Sequence, residues 1–225
     1  MAHAKYNFFG EGDNYYKLAF PDYLHSAKYP VYNFRSFLLR LGFEEDEREI
    51  PSLDIRLSAT ELAEGCKILD TIVRNDRKTI CLFTNATGNK CYSREWWDEF
   101  YSHLEKQFTC YNFIELLPAE NISRLGYRIP SFYSTNIREM GSLIANTSLF
   151  IAADSGVMHL ASAAGTPTIG LFSVTNENIY APYNTNSVAI NTNAVNGNEM
   201  FNIIRCSLHK GSHTSAADMK GEPYK

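Results

Sequence analysis

No stretch of this chain approaches the ~18 consecutive apolar residues of a membrane-spanning helix, and the first residues, MAHAKYNFFGEGDNYYK, lack a basic start followed by an apolar run. A cytoplasmic location is the expectation. Basic charge is also scarce: 21 Lys and Arg stand against 25 Asp and Glu, for a net charge of −4, with no dense basic block to neutralise a phosphate backbone. Nucleic acid is therefore not an expected partner. The cysteines Cys66, Cys81, Cys91, Cys110 and Cys206 are odd in number and form no C-x-x-C pair, so they read as reduced thiols. The six histidines show no H-E-x-x-H spacing, and no metal site is expected. The chain lacks G-x-G-x-x-G, a Walker A loop and G-x-S-x-G, which disfavours NAD, a P-loop and a serine nucleophile elbow. No cofactor is expected.

What is present is enough to bury a core. Hydrophobic residues make up 44%, aromatics 13% and charged residues 20% of 225 residues, the proportions of one large domain or of a domain of roughly 150 residues with an appended segment. Residues 1–35 are rich in Tyr and Phe without a clean period of 2 or 3.6, and read as an irregular segment whose aromatic surface wants a partner chain or a second copy. Residues 36–78 read as linker helices. Phe34, Phe37, Leu38 and Leu41 make a short apolar stripe ended by Gly42, and Glu44 to Glu49 form a solvated loop. Ser58 and Glu61 have capping-box spacing ahead of a stripe of Leu62, Cys66, Leu69 and Val73.

From residue 79 to 207 apolar runs alternate with amphipathic segments. Strands are predicted at 79–83, 111–117, 149–153, 168–172 and 187–190, and helices from Ser93, over Ile137 to Ile144, over Gly156 to Ala164, and over Glu199 to Cys206. Strand, helix and strand with tight loops are the arithmetic of βαβ units, so the fold class is α/β: a Rossmann-like parallel sheet flanked by helices. The tail, 208–225, is small and polar and reads as unfolded.

Two strand-to-loop junctions carry chemistry. Asp154-Ser155-Gly156 lies directly after one predicted strand and before a helix, with His159 one turn in. In a parallel sheet ligands collect beyond the C-terminal ends of strands, and a helix starting there offers free N–H groups to an anion. Asp154 or Ser155 can cap that helix, and Gly156 lets a ligand approach the backbone. The second junction, Thr84 to Lys90, offers Asn85, Thr87 and a lysine to phosphate oxygens. Taken singly, the first is compatible with an ordinary N-cap and the second with a solvated surface lysine. At one edge of one sheet they would face a common ligand.

The segment from Asn146 to Thr175, NTSLFIAADSGVMHLASAAGTPTIGLFSVT, resembles the signature of glycosyltransferase family 9, the ADP-heptose:lipopolysaccharide heptosyltransferases. That signature runs strand, D-[ST]-G-x-x-H-L-A-x-A, G-x-P, then a strand ending in F-G-P-T. Asp154, Ser155, Gly156, His159, Leu160, Ala161, Ala163, Gly165, Pro167, Phe172 and Thr175 match it, while Ser173-Val174 stands where the family has Gly-Pro. The resemblance, over roughly residues 33 to 205, implies the C-terminal, nucleotide-sugar-binding domain of a GT-B glycosyltransferase. It implies that Lys90, Asn85, Thr87, Asp154, Ser155, Gly156 and His159 face the donor diphosphate and sugar, that Glu120 meets the ribose and that Thr135 borders the base. It further implies a nucleotide-diphosphate sugar donor, a lipopolysaccharide or glycan acceptor, no metal, and work in the cytoplasm or at the inner face of the inner membrane. The family's acceptor domain, with its catalytic aspartate in a Gly-Asp loop, does not fit into the residues before the linker. Gly12-Asp13 has the two letters but no strand precedes it, so no catalytic residue is assigned. Three readings stand: a transferase, a non-catalytic or truncated nucleotide-sugar-binding module, and a nucleotide-binding α/β protein unrelated to sugars.

Overall fold

A computed structural model describes residues 25–210. Six parallel strands, β1 (Thr79–Phe83), β2 (Asn112–Leu116), β3 (Ser131–Phe132), β4 (Leu149–Ala153), β5 (Thr168–Phe172) and β6 (Val188–Asn191), form one sheet in the order β3-β2-β1-β4-β5-β6. The three central strands are buried along their whole length, which is why they appear in sequence as unbroken apolar runs.

Because side chains alternate along a strand, the sheet has two apolar faces. Ile80, Leu82, Leu149, Ile151, Ile169 and Leu171 turn to one side, against Trp97, Phe100, Tyr101 and Leu104 of α3 (Arg94–Gln107) and Phe201, Ile204 and Leu208 of α7 (Gly197–Lys210). Cys81, Phe83, Ile114, Leu116, Phe150 and Ala152 turn to the other. There they meet Leu69 of α2 (Ala59–Val73), Met140, Leu143 and Ile144 of α4 (Ile137–Ala145), and Met158 and Ala161 of α5 (Gly156–Ala163).

Helix starts are set by side-chain caps. Ser58 and Glu61 form both halves of a capping box, Ser93 accepts from Trp96 N, and Asn136 accepts from Arg138 N and Glu139 N. Arg138 also pairs with Glu61 and donates to Ile55 O (3.1 Å) and Arg56 O (3.0 Å), tying α4 to the start of α2. The Arg138 guanidinium, with the Ser58 N–H and hydroxyl, holds the Glu61 carboxyl down at about 2.

The contact between α2 and α4 is made backbone to backbone. A Cβ placed on Gly65 would lie 2.3 Å from the carbonyl carbon and oxygen of Ser142, neither of which can move without moving the helix. Gly65→Ala is therefore expected to lower stability by about 1 to 3 kcal/mol, the usual effect of overpacking, rather than raise it through helix propensity. Urea unfolding measures the difference, and a stabilised variant would contradict the close approach.

Several elements depart from expectation. Helix α1 (Tyr29–Arg40) begins inside the segment read as irregular, because Pro30 sits in the first turn, where its missing N–H is harmless. Packing of Tyr32 with Ile50, and of Tyr29, Val31 and Tyr183 around them, selects its buried face, so Phe34 and Leu41 of the predicted stripe are exposed. In α2 the buried positions are Gly65 and Leu69, which leaves Leu62 and Cys66 on the outside. Strand β3 and the one-turn helix α6 (Glu177–Tyr180) are too short for periodicity to signal. Helix α7 runs further than expected at both ends; Asn196 and Glu199 exchange side-chain and backbone hydrogen bonds of 3.0 Å at its start. The aromatic residues before position 25, proposed above as a contact surface, and the tail beyond 210 lie outside the described residues.

Candidate functional site

Strands β1 and β4 are neighbours at the point where the strand order reverses, and the chain leaves β1 toward α3 on one face and β4 toward α5 on the other. Such a switch point opens a crevice beyond the strand ends. Both predicted junctions line it. Lys90 Nζ lies 3.3 Å from Asp154 Oδ2, across the gap between the two turns. Thr175, at the end of the β5 loop, donates its hydroxyl to the same carboxylate oxygen at 2.6 Å.

Each partner is held by its local fold. Gly88–Lys90 is a single 3-10 turn, begun at the exposed Thr87 and admitted by a left-handed Gly88 at φ +61°, and it swings Lys90 back over the sheet. Half-buried Asn85 accepts from Cys91 Sγ at 3.6 Å. Asp154 N is hydrogen bonded to Leu171 O, so the residue is still fixed to the sheet when its side chain turns toward Lys90. Asp154 is thus not the helix cap. Ser155 is, accepting from Met158 N at 3.4 Å. A Cβ on Gly156 would meet nothing within 4 Å, so the first turn of α5 opens on free space.

His159 is half-buried beside this pair. Burial lowers its pKa below the usual histidine value; the Asp154 charge opposes that shift and the Lys90 charge adds to it. His25, whose Nε2 donates to Ala181 O at 2.9 Å, is lowered in the same way, by burial first. A histidine whose folded pKa is depressed contributes stability that is complete above its unfolded value of about 6.5 and is lost as pH falls toward the folded value. Thermal stability should accordingly fall between pH 7 and pH 5, and His159→Gln should flatten that slope. Calorimetric melting at both pH values checks it; an unchanged slope would mean that the imidazole titrates alike in both states.

Glu120 and Thr135 are both exposed, on the loops that follow β2 and β3 at the same edge of the sheet. Tyr133 Oη donates to Ala119 O at 3.3 Å, which joins those two loops. Among the described residues neither shares a hydrogen bond or ion pair with Lys90 or Asp154.

Sequence reasoning gave no individual role to three residues here. Tyr92, two positions beyond Lys90, is buried and shares a 2.9 Å hydrogen bond with Thr192 Oγ1. Burial raises its pKa, and its hydroxyl also meets Ser173, whose carbonyl accepts from Asn193 Nδ2 at 2.7 Å. The loop in which Ser173 and Val174 replace Gly-Pro is therefore anchored by side chains. Glu115 and Thr84, discussed below, are completely buried. A charged residue inside an apolar strand was the one local signal for Glu115. Among the described residues no group of three or more His, Cys, Asp or Glu could hold a metal ion. None of the described helices is long and apolar enough to cross a membrane.

A parallel sheet in this strand order, with two strand-to-helix turns meeting across its switch point, defines a doubly wound, Rossmann-like α/β domain. The chain belongs to glycosyltransferase family 9 (heptosyltransferase), whose sequence profile matches residues 35–203. It is 38% identical over 72 residues to the lipopolysaccharide core heptosyltransferase OpsX of Haemophilus influenzae, a match covering 31% of this chain and 21% of that one. Its fold is similar to that of a family 9 glycosyl transferase from Veillonella parvula, with a TM-score of 0.68, 12% identity, and coverage of 84% of this chain and 61% of that one. It is also similar to the E. coli ADP-heptose lipopolysaccharide heptosyltransferase II, with a TM-score of 0.57, 15% identity, and coverage of 71% and 54%. At these identities the likeness is one of fold, that of GT-B-like glycosyltransferases. The chain spans between half and two thirds of the length of those solved structures.

Proposed function

We propose that the crevice between residues 84–90 and 154–156 holds the diphosphate of a nucleotide-diphosphate sugar, ADP-heptose or a close relative, and that the chain serves lipopolysaccharide or surface-polysaccharide synthesis at the cytoplasmic side of the inner membrane. The carrying observation is the Lys90–Asp154 pair at 3.3 Å across the switch point, directly beside the open first turn of α5.

A phosphate bound there receives two kinds of positive charge. Lys90 offers an ammonium group, and the N–H groups at the start of α5 offer the positive end of the helix dipole. Both gain strength as the diphosphate departs with the negative charge of the broken glycosidic bond, which is the leaving-group half of a sugar transfer. His159, kept neutral by its surroundings, can donate a hydrogen bond without adding a full charge. Glu120 and Thr135 lie on the loops that would border the nucleoside. The names of the relatives supply the sugar and the acceptor in this proposal. The base that takes the acceptor's proton is unassigned.

Isothermal calorimetry of the chain with ADP, UDP and GDP tests the reading. ADP is expected to bind tightest. Binding of none of the three would remove the diphosphate site, and preference for UDP or GDP would keep the site and change the nucleotide.

A further inference from the structure

Glu115 stands at the fourth position of β2, the strand next to the β3 edge of the sheet, with no solvent exposure. It is a buried carboxylate with no ion pair among the described residues. What surrounds it are hydrogen-bond donors from two loops. Thr84 Oγ1, at the root of the 84–90 loop, donates to Oε1 at 2.6 Å. Arg124 N donates to the same oxygen at 3.3 Å, and the Ser123 hydroxyl donates to Oε2. Ser123 Oγ in turn accepts from Tyr127 N at 2.9 Å, so the segment from Ser123 to Tyr127 is folded around this one side chain.

A buried carboxylate is unfavourable unless its lone pairs are satisfied, and here three donors satisfy them. The donors come from positions 31 residues before and 8 and 9 residues after Glu115. One arm reaches the loop that ends in Lys90. The other reaches the loop that carries Glu120, and through Tyr133 and Ala119 that loop is joined to the one carrying Thr135.

We infer that Glu115 is a positioning residue: it sets the nucleoside side of the crevice in register with the diphosphate side. The inference rests on the donor reading above and adds to it the device that fixes the distance between its two halves. Glu115 itself is sealed from ligand and acts through Thr84, Ser123 and Arg124.

Glu115→Gln keeps the shape but removes the charge and puts an NH2 where one oxygen accepted, so the groups that donated to that oxygen lose their acceptor and must reorient. Ser123→Ala leaves Glu115 and Thr84 in place and cuts only the arm to the nucleoside side. Wild type and both variants are titrated with ADP, and inorganic pyrophosphate is measured by its displacement of bound ADP. ADP affinity should fall about tenfold in each variant while pyrophosphate affinity stays within about twofold, because Lys90 and the α5 turn are untouched. A merely structural role would lower both affinities together or neither, and either pattern would overturn the inference. Should Glu115→Gln fail to fold, Ser123→Ala decides by the same ratio. Wild type that binds neither ligand would instead overturn the donor reading, and the inference with it.

Discussion

Lys90→Ala is expected to lower ADP affinity by about 10- to 100-fold. A charge-assisted hydrogen bond is worth about 1.5 to 3 kcal/mol, which by itself spans that range. Asp154 pushes the loss toward its upper end. Its carboxylate is nearly buried and has Lys90 as its recorded ion-pair partner, so removing the ammonium leaves an uncompensated negative charge facing a negatively charged ligand. The two changes are therefore coupled, and Asp154→Ala placed in the Lys90→Ala background should restore part of the lost affinity. Calorimetry on wild type, both single variants and the double variant closes the cycle. Strictly additive losses would mean that the ion pair plays no part in anion binding, and an unaffected Lys90→Ala would place the ligand elsewhere.

The second large effect separates binding from folding. Gly156 has no atom within 4 Å of where a side chain would begin, and its φ is not in the left-handed region, so a larger residue meets neither clash nor backbone strain. Aspartate at a first helical position is even favoured by the helix dipole. Gly156→Asp should therefore melt at or slightly above the wild-type temperature. In the liganded state the new carboxylate would lie close to the phosphate, and two like charges at 4 Å repel by about 4 kcal/mol at an effective dielectric of 20. ADP binding should drop by at least about 100-fold. A Gly156→Asp protein that melts normally and still binds ADP would show that the open turn of α5 faces solvent alone.

The parts of the fold that were legible in the sequence are those with local causes. Strands β1, β4 and β5 are continuous apolar runs bounded by polar residues, and their limits can be read residue for residue. The caps Ser58, Ser93 and Asn136 announce their helices because each bonds within three residues of itself. The convergence of Lys90 and Asp154 followed from topology, since both stand at C-terminal ends of strands in one parallel sheet. What escaped was decided by distant neighbours. Which face of α1 is buried depends on Ile50 and Tyr183, and which face of α2 is buried depends on the bare backbone of Ser142. Glu115 is the plainest case: its donors are remote in the chain, so a glutamate outside the strand, Glu120, drew the attention instead. Glu120 and Thr135 came from resemblance and not from spacing, and the ligand titrations above are what test their role.

The aromatic cluster on α3 has a practical corollary. The two tryptophans of the chain, Trp96 and Trp97, are adjacent, with ring centroids 5.1 Å apart. Trp96 stacks at 4.2 Å on Tyr92, the ring whose hydroxyl grips Ser173 and Thr192 at the mouth of the crevice. All indole emission from this protein therefore originates within one residue contact of the loop that carries Lys90. The chain comes with its own optical probe, and a shift in that glow on adding nucleotide would be readable without any label.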